Sequence, residues 1–186
     1  DVHFSQFNIS SFLLNPALVG TQNNDYKATL QRKSQWASVS VPFTTFALAL
    51  ERKEILPSHS VGIQFLNDIA GDSRFKTTGI NLAYAKKVVG TTNNMFSFGA
   101  EIGLFQRSVM FDDLVFNDPE NLSNINFLFP DIAIGIANFY EINKNMAVES
   151  GIAFYHINKP KQSLTDNDAI LLHQKMNIHT ALNYSY

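Results

Sequence analysis

Five histidines, a pair of adjacent aspartates and one Asn-Asp-Gly turn are the residues of this chain whose types could support catalysis or metal binding. The histidines are His3, His59, His156, His173 and His179. None falls in a His-x-x-x-His spacing that would put two imidazoles on one helix face, and strand alternation does not pair them on one face either. Asp112 and Asp113 follow the fifth expected strand, and His156 lies near the end of the seventh. A carboxylate–imidazole pair of that kind could activate water, and Ser108 with His156 could pair as nucleophile and base. Both signals are unspecific, and a solvated loop edge accounts for them. Asn67-Asp68-x-x-Gly71-Asp72 lacks the spacing and terminal Glu of an EF-hand loop, and a hairpin turn explains its Asp and Gly. The chain has no cysteine, which removes disulfide scaffolds and thiolate zinc sites. The expectation is therefore no catalytic residue, no metal and no cofactor.

The charges that remain sit on strands. Charged residues make up 16% of the 186 residues and the formal net charge is −2, against roughly 25% charged in an ordinary soluble domain. There is no basic face for nucleic acid, and 45% hydrophobic content is too high for a disordered chain. No signal peptide is visible at the start. The longest stretch without Asp, Glu, Lys or Arg, Val2 to Asn24, is broken by Asn15, Pro16 and Gly20, so no spanning helix is expected.

From Asp25 onward the hydrophobic period is two. Phe46, Leu48 and Leu50 alternate with Thr45, Ala47, Ala49 and Glu51; Phe96, Phe98, Ala100, Ile102 and Leu104 alternate with Ser97, Gly99, Glu101 and Gly103. Eight strands are expected at about 25–37, 43–53, 59–70, 74–88, 94–110, 131–142, 145–158 and 174–186. One face is bulky and apolar; the other is Gly, Ala, Ser, Thr and Asn with occasional charge. A soluble sandwich would carry more Lys and Glu on its second face. A membrane barrel turns the apolar face to lipid and the small or polar face inward. Arg32, Glu51, Glu101, Arg107 and Glu149 are then expected as inward charges, forming a lumen network or lining a conductive path. Connections 54–58, 89–93 and 143–144 are short, whereas 111–130 and 159–173 are long. Short periplasmic turns and longer external loops are the barrel pattern, which places the N-terminus in the periplasm. Residues 1–24 form a separate non-strand segment that plugs the lumen, docks on a periplasmic partner or covers the lower rim.

Several sequence words occur in order along the chain. The first are His3-Phe4-Ser5-Gln6-Phe7 and Leu14-Asn15-Pro16-Ala17-Leu18-Val19-Gly20-Thr21. Next come Gln35-Trp36-Ala37, Pro42-Phe43-Thr44-Thr45, and Phe65-Leu66-Asn67-Asp68 with Ala70-Gly71-Asp72. The last are Gly103-Leu104-Phe105-Gln106-Arg107-Ser108 and His156-Ile157-Asn158-Lys159-Pro160-Lys161-Gln162-Ser163. Together they resemble the PorP/SprF family of type IX secretion system membrane proteins of Bacteroidetes. The resemblance implies that Asn15, Pro16, Gly20, Trp36, Asn67, Asp68, Gln106, Arg107, His156, Asn158 and Pro160 are family-motif positions.

The family is generally longer, with further strands after the part matching Met176–Tyr186. The expected fold is therefore all-β: a transmembrane antiparallel up-and-down barrel whose eight strands here are part of a larger barrel. Closure of strand eight on strand one is the competing expectation. The resemblance also implies a non-enzymatic outer-membrane role in type IX secretion and gliding, anchoring secreted cargo or adhesin C-terminal domains and contacting periplasmic secretion components. The loop 111–130 would present Phe116, Leu122, Ile125, Phe127, Leu128 and Phe129 to a partner. A passive solute channel is the alternative from another class, and an outer-membrane hydrolase a weaker third.

Overall fold

The computed structural model describes residues 2–38, 41–71, 75–109, 125–162 and 170–184. Eight strands form one antiparallel sheet in chain order: β1 (Tyr26–Gln35), β2 (Phe43–Leu56), β3 (His59–Ala70), β4 (Phe75–Thr91), β5 (Asn94–Val109), β6 (Ile125–Asn143), β7 (Met146–Tyr155) and β8 (Lys175–Tyr184). β1 and β8 are its two edges and do not pair with each other. No described helix is long and apolar enough to cross a membrane.

Alternation in the sequence becomes two chemically opposite faces. Following the register outward from β1, one row reads Leu30, Leu48, Phe65, Ile80, Leu104 and Pro130. The neighbouring row on the other face reads Thr29, Ala49, Gln64, Asn81, Gly103 and Asp131. The apolar row is the exposed one, with Leu30 67% and Leu104 57% accessible, while Gln64 is 1% accessible. A soluble domain buries the first set and exposes the second. Here lipid is the solvent that suits the bulky face.

The height of the apolar band fits that solvent. On the exposed face of β4, Ile80, Leu82 and Tyr84 lie between Lys76 and Lys86, which are ten residues apart. At about 3.3 Å per residue and the roughly 40° tilt of membrane barrels, that separation spans about 25 Å, the height of a barrel's apolar belt. Tyr26, Trp36, Phe43, Tyr140 and Tyr184 are exposed rings near strand ends, where an aromatic girdle belongs. Tyr155, also at a strand end, instead points inward and is buried.

The curl of the sheet follows from what its inner face holds. Residues 4–21 carry a 3-10 turn at Phe7–Ile9, a single helical turn at Ser11–Leu14 (α1) and a second 3-10 turn at Pro16–Leu18. Side chains or carbonyls from all eight strands reach this segment: Gln31, Glu51, Gln64, Lys87, Ser97, the Ile136 and Ile152 carbonyls, and Asn177. A flat eight-stranded sheet is far too wide for one short segment to touch every strand. The sheet is a strongly curled half-barrel wrapped around its own N-terminal residues.

Four strand ends differ from expectation by three residues or more, and one of them is the end of β7, at Tyr155 instead of 158. β2 and β4 run on to Leu56 and Thr91, so their turns shrink to Pro57-Ser58 and Thr92-Asn93. β6 begins at Ile125, six residues before the expected start. Ile125, Phe127, Leu128 and Phe129 are therefore strand residues paired with Val109, Arg107, Gln106 and Phe105, not loop residues. Pro130 reads as a strand breaker because it has no N–H. Its ring nitrogen faces the same side as the Ile132 N–H, and there β7 has already ended. Asn158 takes over that edge: its Nδ2 donates to the Pro130 carbonyl at 2.8 Å and its Oδ1 accepts from Ile132 N–H at 3.1 Å. A proline on an unpaired edge costs no ladder bond.

If the bulky face meets lipid, Leu82→Arg should lower unfolding free energy by about 2–4 kcal/mol in phospholipid vesicles, and Asn126→Lys, at the polar margin, by less than about 1. Urea titration of tryptophan fluorescence measures both. Equal effects would remove the lipid assignment of this face.

Candidate functional site

Burying an irregular segment inside a curled sheet creates a hydrogen-bonding problem, because its peptide groups have no ladder to join. The inner face solves it residue by residue. Asn15 is fully buried. Its Oδ1 accepts from the Ala17 N–H at 2.9 Å, holding the Pro16–Leu18 turn. Its Nδ2 donates to the Ile136 carbonyl at 3.0 Å and lies 3.1 Å from His179 Nε2. His179 Nδ1 faces Glu149 Oε1 at 3.7 Å. With the proton on Nδ1, Nε2 is free to accept from Asn15.

This approach is possible because the strands beneath are bare. Gly99 pairs with Gly135, and Ala137 with Gly151, so glycines of β5, β6 and β7 form a floor. A Cβ at Gly135 would strike Asn15 Oδ1, one at Gly151 would strike Asn15 Nδ2 and His179, and one at Gly99 would overlap the Pro16–Ala17 peptide. Ser97 Oγ, beside that floor, donates to the Ala17 carbonyl at 2.7 Å.

A second anchor is ionic. Glu51 is buried; it accepts from Ser11 Oγ at 3.0 Å and from the Gly20 N–H at 3.1 Å, and it pairs with Lys27 Nζ at 3.1 Å. Lys27 also donates to Ser11 Oγ. Gly20 has φ +73°, in the region that favours glycine, and its missing side chain admits Ser60. Tyr155 Oη donates to the Phe12 carbonyl, and Asn177 Nδ2 to the Leu13 and Leu14 carbonyls. Phe12 and Val19 fill the space between these polar contacts.

Toward the end of the half-barrel where β3 and β7 finish and β4 and β8 begin, the N-terminal segment leaves a cavity of about 270 Å³. Asp68, Glu101, Arg107, Asp131, His156 and Lys175 line it, with Thr77, Asn81 and Tyr155 as its uncharged polar residues. His156 Nδ1 lies 2.8 Å from Asp131 Oδ2. Lys175 Nζ stands 4.3 Å over the Tyr155 ring. Arg107 lies between the Phe75 and Phe129 rings, donates to Thr77 Oγ1 at 3.2 Å and also contacts Gln162. Asp68 accepts from Thr45 Oγ1 at 2.6 Å.

The structure sorts the sequence-derived residues into groups. Glu51, Glu101, Arg107 and Glu149 face inward. Arg32 does not: it shares the outward parity of Leu30 and is exposed, so the inward cations of β1 are Lys27 and Lys33. Phe127 and Phe129 also point inward, with Phe129 stacked on Phe105 at 5.5 Å. Phe116, Leu122, Asp112 and Asp113 lie outside the described residues. His156 is joined by Asp131 instead, a pairing of distant positions that local spacing could not signal. Ser108 is on the outward face, away from His156. Among the other motif positions, Trp36 packs edge-on against Phe43, Asn67 Nδ2 donates to Thr78, Gln106 donates to Asn126, and the Pro160 carbonyl accepts from the Leu172 N–H. Among the described residues no group of three or more His, Asp or Glu is placed to hold a metal ion.

The family model of type IX secretion system membrane protein PorP/SprF matches residues 1–186. No curated protein matches the chain. Among solved structures, the crystal structure of Neisserial surface protein A (NspA) matches with 11% identity and a TM-score of 0.39, over 87% of this chain and 94% of that one.

Because Asn15 and the glycine floor occupy the same space, their substitutions should not add. Asn15→Ala should cost about 1–3 kcal/mol, as loss of a buried hydrogen-bonding group does. Gly135→Ala should be costly alone and less so in the Asn15→Ala background. Urea unfolding gives the energies, and chymotrypsin cleavage at Phe4, Phe7 and Phe12 reports release of the segment. Strict additivity would show that the contact carries no stability.

Proposed function

Because the chain belongs to the type IX secretion system membrane protein PorP/SprF family, we propose that it is an outer-membrane β-barrel element of that machinery which docks or anchors secreted surface cargo. The role is non-catalytic. Its external partners are cargo or adhesin C-terminal domains, met by the long connections at one end of the half-barrel. Its internal partners are periplasmic secretion components, met by the short-turn end, with the N-terminus on the periplasmic side.

The observation that supports docking over conduction is the filled concave face. Phe12, Asn15, Ala17 and Val19 are each 0% accessible. A conducting path wants a continuous polar lumen, whereas here the space that could form one holds a hydrogen-bonded segment. A rigid, filled support also suits long loops whose task is binding. The eight strands then serve as part of a larger barrel, whose remaining pairing satisfies the β1 and β8 edges in lipid.

Phe127 and Phe129 sit inside the half-barrel, so changing them would disturb packing instead of cargo. The informative substitutions are Phe116→Ser and Leu122→Ser. They should weaken cargo retention on cells about tenfold or more, as loss of anchor side chains does, with barrel assembly unchanged by heat-modifiable gel migration. In planar bilayers the unaltered protein should conduct little. Full cargo retention in both variants, together with steady conductance sensitive to Glu101→Gln, would favour a passive channel.

Orientation has its own check, made clean by the absence of native cysteine. A membrane-impermeant maleimide added to whole cells should label Asn117→Cys and leave Lys144→Cys unlabelled. The reverse pattern would put the short turns and the N-terminus outside.

A further inference from the structure

The cavity at the long-connection end contains one charged group whose needs the surrounding residues do not meet. Glu101 is 8% accessible, it lines the cavity, and among the described residues its Oε2 is buried without a hydrogen-bond partner. Every other charged group of the lining has a contact already described: Asp68 with Thr45, Asp131 with His156, Arg107 with Thr77 and two rings, Lys175 with the Tyr155 ring. The lining thus sets the three carboxyl groups Asp68, Glu101 and Asp131 beside Arg107, His156 and Lys175. A buried carboxyl oxygen without a partner is among the costlier features a protein can hold.

The register places a second carboxylate near Glu101. Glu101 and Asp131 lie on adjacent strands, and the position opposite Asp131 is Gly103. Gly103 contributes no side chain, and the place where one would stand is taken by Asn81 Oδ1 and the edge of the Phe105 ring. The opposite wall is apolar, made by Phe12, Leu13 and Leu66. The site therefore offers an unpartnered acceptor and an apolar wall, in a cavity of about 270 Å³ that admits a short alkyl chain.

We propose that this cavity binds a primary ammonium carried on a short alkyl stem, with Glu101 Oε2 as its acceptor and the apolar side chains of Phe12, Leu13 and Leu66 packing the stem. The same chemistry is presented by a free small amine and by the lysine side chain of a protein partner. The site is independent of the external-loop docking surface, and its failure would leave that surface standing.

The test uses the whole protein in an uncharged detergent at constant ionic strength. Calorimetric titration with n-butylammonium should show saturable binding that n-butanol, its neutral counterpart, does not reproduce. Glu101→Gln should weaken n-butylammonium at least about tenfold, the range expected for one charge-assisted hydrogen bond. Arg32→Gln, on the outward face, should leave it unchanged. A glycine-flanked, end-blocked lysyl peptide separates the sources: binding assigns the site to a lysine side chain, and binding of n-butylammonium alone assigns it to a free amine. No saturable binding of either probe overturns the proposal, as does equal binding of n-butylammonium and n-butanol. Those comparisons on the unaltered protein decide the matter even if Glu101→Gln fails to assemble.

Discussion

The contact between Asn15 and the backbone of β6 and β7 is the constraint on which the rest of this half-barrel depends. A side-chain amide can reach a sheet carbonyl only where no Cβ stands in the way, so Gly135 and Gly151 are demanded by Asn15. Once the amide is seated, Ala17 is held by Asn15 Oδ1 and Ser97, and the chain on either side falls within reach of Glu51, Tyr155 and Asn177. Each of these inward residues is small or polar because it meets peptide groups, not because it meets water. The inner face has no room for Leu, Ile or Phe in quantity, and the bulk of the chain's apolar side chains is left to the outside.

That division settles which solvent the outside requires. A band of exposed Leu, Ile and Phe about 25 Å high between Lys76 and Lys86 is an aggregation surface in water and an ordinary surface in lipid. The two properties are coupled. Opening the interior would strand the peptide groups of residues 4–21 and the buried carboxylate of Glu51, each without a ladder to fall back on. The segment therefore acts as a strut for the curl, and its removal would affect the shape of the sheet as well as the space inside it.

Much of this was legible in the sequence, for a physical reason. Strand alternation is local, and in β2 and β5 the two faces differ so sharply in size that period and side emerge together. Arg32 could have been placed by the same rule, since it sits two residues from Leu30 and shares its face. What local pattern could not reveal was pairing across distance. Pro130 looks like a break until Asn158, 28 residues on, is seen to cover its edge. Phe127 and Phe129 look like loop anchors until Arg107 and Phe105 are found opposite them. The carboxylate beside His156 turned out to be Asp131, brought there by the β6–β7 hairpin.

The same distinction bears on how a filled half-barrel can serve a secretion apparatus. A channel works by the passage of something through its middle, so its middle must be soluble and unblocked. In this chain the middle is filled and hydrogen-bonded, with fully buried Phe12 and Asn15 and an ion pair between Lys27 and Glu51. Releasing it would break several buried hydrogen bonds at once, each worth about 1 kcal/mol net and more when a charge is left behind. Displacement on that scale calls for an external source of work or a partner that replaces the lost contacts. A support that stays filled while its loops engage cargo has no such requirement, and that asymmetry in free energy is the physical ground for preferring docking to conduction.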